Sequence, residues 1–257
     1  EVTDAAVPLE RNPTISVNIA DVRTPNDQGG TLSNPDADVS TTGVYGLAPV
    51  PGNTWANLRP ATTGTDGTET VTTAYACALD TPVRVSYQAS GTWEYVGAEG
   101  GTPVDSFLRY YLDDGVSANG QKSGADIYVT NIPFSKYDVI VYLATDSDGE
   151  KFNPVEINRT LYKGTEAGAE EASSSTDVWG TVRQTTPALG ANALRVSGLE
   201  GNLRIHGGTK QTVNSQVARG GIAAFQIVLA DDGEILETVD PDRGVLSLNF
   251  NSNRDNS

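Results

Sequence analysis

Short segments in which apolar and polar residues alternate recur along this chain and predict β-strands. The clearest of them are residues 15–19, 83–87, 127–129, 137–143, 155–157, 193–196, 203–205 and 222–229. Turn sequences such as Asn119-Gly120 separate the segments, and only residues 165–172 suggest even a helical turn. About a dozen short strands predict an all-β fold, a β-sandwich or jelly roll with Greek-key connections.

The pattern also predicts the domain organisation. Residues 1–13 form a lead-in segment, and residues 14–230 carry the alternating strands of a single β-sandwich domain. Residues 231–257 follow as a linker and a terminal strand, which makes the terminal strand an extension of the sandwich. A chain of 257 residues is long enough for one such domain with a sizeable core.

The terminal strand repeats the first strand of the sandwich. Three of its apolar residues stand at a constant offset from three in the first strand: Leu246, Leu248 and Phe250 against Ile15, Val17 and Ile19. The polar residues between them recur as well, since Ser247 and Asn249 match Ser16 and Asn18. A strand of this kind pairs with an exposed sheet edge. We therefore predict that it joins the chain to copies of itself or to neighbouring modules; the start of a tandem module and folding back on its own domain are the alternatives.

The charge and composition narrow the choice of partners. The formal net charge of −16 repels nucleic acid and anionic membranes. The sequence contains no run of 18 apolar residues, so we expect no insertion into a membrane. Cys77 is the only cysteine and is expected to be a small buried hydrophobe. The chain starts at Glu1 and contains no methionine, and together with the acidic, strand-rich composition this favours an extracellular or cell-surface location.

Several motifs resemble a known kind of module. They are Gly43–Gly46, Pro49–Leu58, Leu112–Gly115, Val129–Phe134, Tyr137–Tyr142 and Arg219–Val228. In this order they are similar to a largely uncharacterised β-sandwich module of large secreted proteins from polysaccharide-degrading environmental bacteria, over residues 14–230. The resemblance implies a jelly-roll-like domain, often beside glycosidase or surface-anchoring domains and sometimes in tandem. It brings no catalytic residues with it.

The residues suited to catalysis are few. His206 is the only histidine and is predicted to point outward from its strand, which makes a serine triad or a histidine-rich metal site hard to build. Asp113 with Asp114, or Glu94 with Glu99, are candidate carboxylate pairs for glycoside hydrolysis. Acidic residues are so abundant here that such pairs arise freely. We therefore predict that the protein is not an enzyme.

Two kinds of binding site remain as candidates. Asp146, Asp148 and Glu150 carry alternating carboxylates around a glycine turn, which suits calcium, although a plain hairpin turn is the alternative. No other cofactor is expected. Four aromatic residues next to glycine- and threonine-rich segments are candidates for stacking against sugar rings: Trp55, Trp93, Tyr95 and Trp179. Packing in the core is the alternative for each of them.

Two functions follow from these features. The first is a non-enzymatic extracellular structural module, a subunit of a filament or surface array that assembles by strand addition through the tail. The second is a carbohydrate-binding accessory module of a secreted polysaccharide-degrading enzyme, with a polysaccharide as its partner.

Overall fold

The structure is a computed structural model and describes residues 12–20, 41–60, 66–94, 107–115, 124–145, 150–180 and 186–236. One short 3-10 turn, Gly52–Thr54, lies among the strands of these ranges. In chain order the strands are β1 (Thr14–Ile19), β2 (Val44–Tyr45), β3 (Val50–Pro51), β4 (Trp55–Leu58), β5 (Asp66–Val71), β6 (Val83–Gln88), β7 (Thr92–Glu94), β8 (Tyr110–Leu112), β9 (Ala125–Thr130), β10 (Tyr137–Leu143), β11 (Lys151–Phe152), β12 (Val155–Ile157), β13 (Thr160–Thr165), β14 (Gly168–Glu171), β15 (Ala193–Leu199), β16 (Leu203–Gly207), β17 (Gln211–Val213), β18 (Gln216–Arg219) and β19 (Ile222–Leu229).

Two seven-stranded sheets account for most of the strands. Sheet 1 has the order β15-β10-β19-β1-β4, and β8 adds to it by pairing with β19 and with β7. Sheet 2 has the order β14-β13-β12-β16-β9-β6-β5. The strands β11, β18 and β17 form a small third sheet, and β2 and β3 form a ribbon. Most pairs are antiparallel, and β1 with β4 is a parallel exception. The predicted all-β sandwich is confirmed.

The main core lies between the two sheets. Val17, Val141 and Phe225 of sheet 1 belong to one buried cluster with Val85 and Ile127 of sheet 2. All five side chains are inaccessible to solvent. Burial of this apolar surface is the dominant favourable contribution to folding a sandwich of this kind.

The two sheets differ in how their strands are buried. In sheet 1, β1 and β10 are buried at every position, and β19 is buried at every position except its last. In sheet 2, β6, β9 and β16 alternate between buried residues and residues that are half-buried or exposed. The central strands of sheet 1 are therefore covered on both sides, whereas sheet 2 presents one face to solvent.

Two sequence-based expectations are wrong in detail. Residues 165–172 contain no helical turn: they are the end of β13, a tight turn and β14. The strand β5 ends at Val71, and the chain bends at Ala76, where φ is 60°, so Cys77 is only half-buried. Residues 231–236 bond to the domain, since Leu236 N donates to Pro133 O at 2.8 Å; the assignment of residues 231–257 to a linker and terminal strand stays a prediction.

Among the residues described, no helix has the length and hydrophobicity needed to cross a membrane.

Candidate functional site

The outer side of sheet 1 is covered by other parts of the chain. Phe107 lies at the centre of this cover, with its ring centroid 5.0 Å from that of Trp55, 5.4 Å from that of Tyr142 and 5.7 Å from that of Tyr45. All four rings are buried in a second hydrophobic cluster. We call this surface the covered face: the outer side of sheet 1 with Tyr45, Trp55 and Phe107 packed on it.

The buried amide of Gln226 links the elements of the covered face through hydrogen bonds. Oε1 of Gln226 accepts hydrogen bonds from the hydroxyl of Tyr142 and from Ala48 N, the latter at 3.3 Å. Its Nε2 donates to Ser16 Oγ at 2.9 Å and to Ala48 O at 2.7 Å. Gly46 approaches this amide so closely that a Cβ there would lie 2.3 Å from Oε1. Every hydrogen-bonding position of the amide is therefore used, as a buried polar group requires.

The outer side of sheet 2 presents two rows of polar side chains, and we call it the open face. Strand register aligns the first row across four strands: Thr68, Ser86, Tyr128 and Arg204. It aligns the second row across five strands: Asp66, Gln88, Asp126, His206 and Glu156. Tyr128, in the central strand β9, is 44% exposed. An exposed aromatic ring among hydroxyl, amide and carboxylate groups is a typical ligand-binding arrangement.

A shallow cleft runs over the β5–β6 end of the open face. Its lining residues are Asp66, Gly67, Thr68, Ser86, Tyr87, Gln88 and Tyr128. The hydroxyls of Thr68 and Ser86 are hydrogen-bonded to each other at 2.9 Å. Gly67 lies directly against Tyr87, since a Cβ at Gly67 would be 2.3 Å from the tyrosine hydroxyl. The cleft thus combines hydroxyl, amide and carboxylate groups with two tyrosine rings, of which Tyr128 is the exposed one.

Arg204 fixes the position of Tyr128. Its Nε donates to the Tyr128 hydroxyl at 3.1 Å, and its Cζ lies 5.6 Å from the ring centroid. The guanidinium is held in turn by Asp126, through Nε at 3.1 Å and Nη2 at 2.8 Å, and by Glu156 through Nη1. His206 lies beside this group, with Nδ1 3.2 Å from Asp126 Oδ1. Tyr128 is therefore supported by a network of charged side chains, which favours a preorganised ring.

A second cluster of charged residues is buried. Asp113 and Asp114 directly follow β8 and meet Arg219 at the end of β18. Arg219 donates from Nε to Asp114 Oδ1 at 2.8 Å and from Nη2 to Asp113 Oδ1 at 3.1 Å. Its Nη1 lies 3.6 Å from Glu150 Oε2. Three carboxylates thus surround one guanidinium in the interior.

Asp114 is the most deeply buried carboxylate of this cluster. Burial raises its pKa to about 6, although Arg219 and the hydrogen bond from Gly220 N, at 2.7 Å, act in the opposite direction. Its side chain has no exposed surface. The candidate pair Asp113 and Asp114 therefore anchors the end of β8 to β18, and Asp114 is not accessible to a substrate in this structure.

The predicted calcium site lies only partly in the described residues. Glu150 is buried and accepts a hydrogen bond from Thr145 Oγ1, while Asp146 and Asp148 fall outside the described ranges. Within those ranges, no group of three or more His, Cys, Asp or Glu side chains is arranged to hold a metal ion. Calcium binding at Asp146, Asp148 and Glu150 stays a prediction.

Two of the four predicted sugar-stacking residues are placed in the interior, which corrects their assignment. Trp55 is 5% exposed and packs on sheet 1. Trp179 is 6% exposed, contacts Phe152 and donates from Nε1 to Asn153 O at 2.8 Å. Both rings are buried by packing contacts, so neither presents a face to a sugar. Trp93 is half-buried against the covered face, and Tyr95 falls outside the described residues.

Of the six predicted assembly residues, three are buried in the structure and three fall outside the described residues. Ile15, Val17 and Ile19 are fully buried, and their strand β1 lies between β19 and β4. Both edges of β1 are therefore already paired, and no incoming strand has room to add to it. The matching residues Leu246, Leu248 and Phe250 fall outside the described residues.

Sequence reasoning missed the open face, although a signal for it was present. The strands 127–129 and 203–205 alternate, and Tyr128 and Arg204 occupy their solvent-facing positions. A large aromatic residue at a position that alternation assigns to solvent is unusual in a strand that packs on a core.

Comparison with known proteins does not assign this chain to a family. No protein-family model matches the chain, and no curated protein matches its sequence.

Proposed function

We propose that this protein is a non-catalytic, extracellular carbohydrate-binding module that takes a polysaccharide chain on its open face. The observation that carries the proposal is the contrast between the two outer faces. The covered face is closed by its own chain, whereas the open face leaves Tyr128 44% exposed above a polar cleft. The acidic composition and the resemblance to modules of polysaccharide-degrading bacteria agree with this function.

The chemistry of the open face suits a sugar chain. Pyranose rings bury their C–H faces against aromatic rings, and their hydroxyls exchange hydrogen bonds with side chains. Tyr128 offers the ring, while Ser86, Gln88 and Asp66 offer donors and acceptors beside it. At the usual spacing of strands, the surface from β5 to β12 is about 19 Å wide. A chain of several sugars therefore has room to lie across it.

Affinity gel electrophoresis against a panel of soluble polysaccharides tests this proposal. The native protein should migrate more slowly in a gel that contains the recognised polysaccharide, and Tyr128→Ala should lose that retardation because it removes the stacking surface. Val44→Ala is the matched control, since Val44 is also a large exposed hydrophobic residue, 60% exposed, but lies in the ribbon β2–β3. Equal retardation of Tyr128→Ala and Val44→Ala would contradict the proposal.

Assembly through the terminal strand is the second candidate, and one observation favours it. Ser16 and Asn18, the polar residues that recur at Ser247 and Asn249, are fully buried in β1. Ser16 accepts a hydrogen bond from Gln226, and Asn18 donates one to Asn57 Oδ1 at 3.1 Å. The shared pattern is therefore that of an interior strand with defined polar partners. We propose that the tail serves as such a strand in a neighbouring copy or module.

Deletion of residues 244–257 tests this second candidate. If the tail joins copies, the native protein should form filaments or larger particles in electron micrographs, and the truncated protein should be monomeric in analytical ultracentrifugation. The double variant Leu246→Asp with Leu248→Asp keeps the chain length and should behave like the deletion. Identical assemblies from all three proteins would contradict assembly through the tail and would not bear on carbohydrate binding.

A further inference from the structure

The charges on the open face bear on which class of polysaccharide it accepts. Across the strands from β5 to β12, this face carries the carboxylates of Asp66, Asp126 and Glu156. Its guanidiniums are those of Arg84 and Arg204. Negative charge thus exceeds positive charge locally, as it does over the whole molecule, where the formal net charge is −16.

Arg204 is not available to bind an anionic sugar. Its Nε and Nη2 donate to Asp126 Oδ1 at 3.1 and 2.8 Å, and its Nη1 donates to Glu156. An incoming sulfate or carboxylate would have to displace both carboxylates, which stay on the face and repel it. Charge-assisted hydrogen bonds of this kind are among the strongest in proteins. The guanidinium therefore acts as internal support for Tyr128.

Arg84 is the remaining guanidinium, and it lies outside the cleft. Its strand register places it between Thr70 and Thr130, one row beyond Ser86 and Tyr128. The acidic side chain that does line the cleft is Asp66. A polyanion lying over Tyr128 and Gln88 would therefore meet a carboxylate within the cleft and gain a single guanidinium at its margin.

We infer that the open face binds uncharged polysaccharides and rejects polyanionic ones. An uncharged chain stacks a ring on Tyr128 and bonds its hydroxyls to Ser86, Gln88 and Asp66 without any electrostatic cost. A carboxylated or sulfated chain of the same shape is repelled both by the face and by the field of the whole protein. The inference rests on the proposed carbohydrate-binding function and narrows its ligand class.

A matched pair of polymers with one backbone tests the inference. Affinity gel electrophoresis compares hydroxyethyl cellulose with carboxymethyl cellulose, and a wider panel sets neutral xylan and galactomannan against alginate and pectate. We expect retardation only by neutral members of the panel, with no change at high salt, and at least about tenfold weaker binding to any charged counterpart. Tyr128→Ala should lose the retardation, and Ser86→Ala with Gln88→Ala is a second variant with the same expected loss.

The possible outcomes separate this inference from the proposed function. Retardation by a polyanion that is lost in Tyr128→Ala would overturn the inference and leave carbohydrate binding standing. No retardation by any polysaccharide, or retardation that is indifferent to both variants, would overturn the proposed function itself. Asp66→Lys adds a further check, because it replaces the carboxylate that lines the cleft with a cation and should therefore raise binding to pectate.

Discussion

The covered face and the open face carry the same two residue types in matching positions and use them differently. Tyr142 and Gln226 lie on the outer side of central strands of sheet 1, and both are inaccessible to solvent. Tyr128 and Gln88 lie on the outer side of neighbouring strands of sheet 2, where they line the cleft. The comparison teaches that what lies above a sheet, rather than the residue type in it, decides whether a polar side chain holds the fold together or meets a ligand.

The difference has a physical cause. A buried amide or hydroxyl must replace every hydrogen bond that it loses to water, so the segment above sheet 1 is fixed by the groups below it. The backbone of Ala48 and Leu47 supplies the partners, bonding to Gln226 and to the Tyr142 hydroxyl respectively. On the open face Gln88 and Tyr128 are exposed to solvent, and a sugar hydroxyl can take the place of water at such a surface at little cost.

The strongest test of this difference between the faces is to remove the side-chain amides of Gln226 and Gln88. Gln226→Leu leaves Ala48 N, Ala48 O and the Tyr142 hydroxyl without their buried partner. We expect a loss of about 3 to 5 kcal/mol in the free energy of unfolding. Gln88→Leu, the matched change on the open face, should alter it by less than about 0.5 kcal/mol. Urea unfolding followed by tryptophan fluorescence measures both. Equal losses would mean that the two faces do not differ as described.

The second test uses two carboxylates whose pKa values move in opposite directions. Burial raises the pKa of Asp114 to about 6. Between about pH 4 and pH 6, the folded protein keeps this proton while the unfolded chain has released it, so the contribution of Asp114 to stability falls as pH rises. A pKa raised to this extent corresponds to about 3 kcal/mol. We expect the native protein to lose about this much stability relative to Asp114→Asn over that range.

Asp126 on the open face provides the control for the pH test. Burial acts to raise its pKa, but His206 and Arg204 outweigh burial and lower the pKa below its ordinary value of 3.8. Its contribution to stability is therefore present above about pH 4 and is lost only as pH falls further. Relative to Asp126→Asn, the native protein should show no loss of stability between about pH 4 and pH 6, the range of the Asp114 test. A loss of the same size in both comparisons would refute the assignment. Urea unfolding at several pH values measures both.

Much of the fold follows from the sequence, because alternation reports burial directly. Residues 83–87, 127–129 and 203–205 were predicted as strands and belong to β6, β9 and β16. Very short strands such as β2, β3 and β11 were missed, since two residues carry no periodicity. Residues 222–229 were also predicted as a strand, but the structure, not the alternation, shows that β19 is buried at every position except its last, with Gln226 as its one polar interruption.

The clusters of functional side chains were harder to predict, because their members are far apart in the chain. Asp114 and Arg219 are 105 residues apart, and only the pairing of the strands brings them together. Trp55 was assigned to sugar binding because the glycine- and threonine-rich segment next to it suggests a ring that faces solvent. Local sequence does not reveal that this segment is strand β4 of sheet 1, where the Trp55 ring is buried under Phe107. Tyr128 was the opposite case, since its outward position could be read from alternation within its own strand.

The smallest effect is expected from the two tyrosine hydroxyls. Tyr142 donates its hydroxyl proton to Gln226 and accepts a hydrogen bond from Leu47 N at 2.8 Å. Tyr142→Phe should therefore cost about 1 to 2 kcal/mol, because Leu47 N and Gln226 lose a buried partner while the packing of the ring persists. Tyr128→Phe should leave the free energy of unfolding unchanged within about 0.5 kcal/mol, since the hydrogen bond that its hydroxyl accepts from Arg204 Nε lies at the exposed surface, where water can replace it.

The same pair of variants connects stability to binding. Tyr128→Phe keeps the ring, so retardation by a recognised polysaccharide should weaken only slightly if stacking dominates. Tyr142→Phe should keep full retardation despite its lower stability, because it lies on the covered face. Urea unfolding and affinity gels on the same preparations measure both properties. If Tyr142→Phe lost binding while Tyr128→Phe lost stability, the roles of the two faces would be reversed.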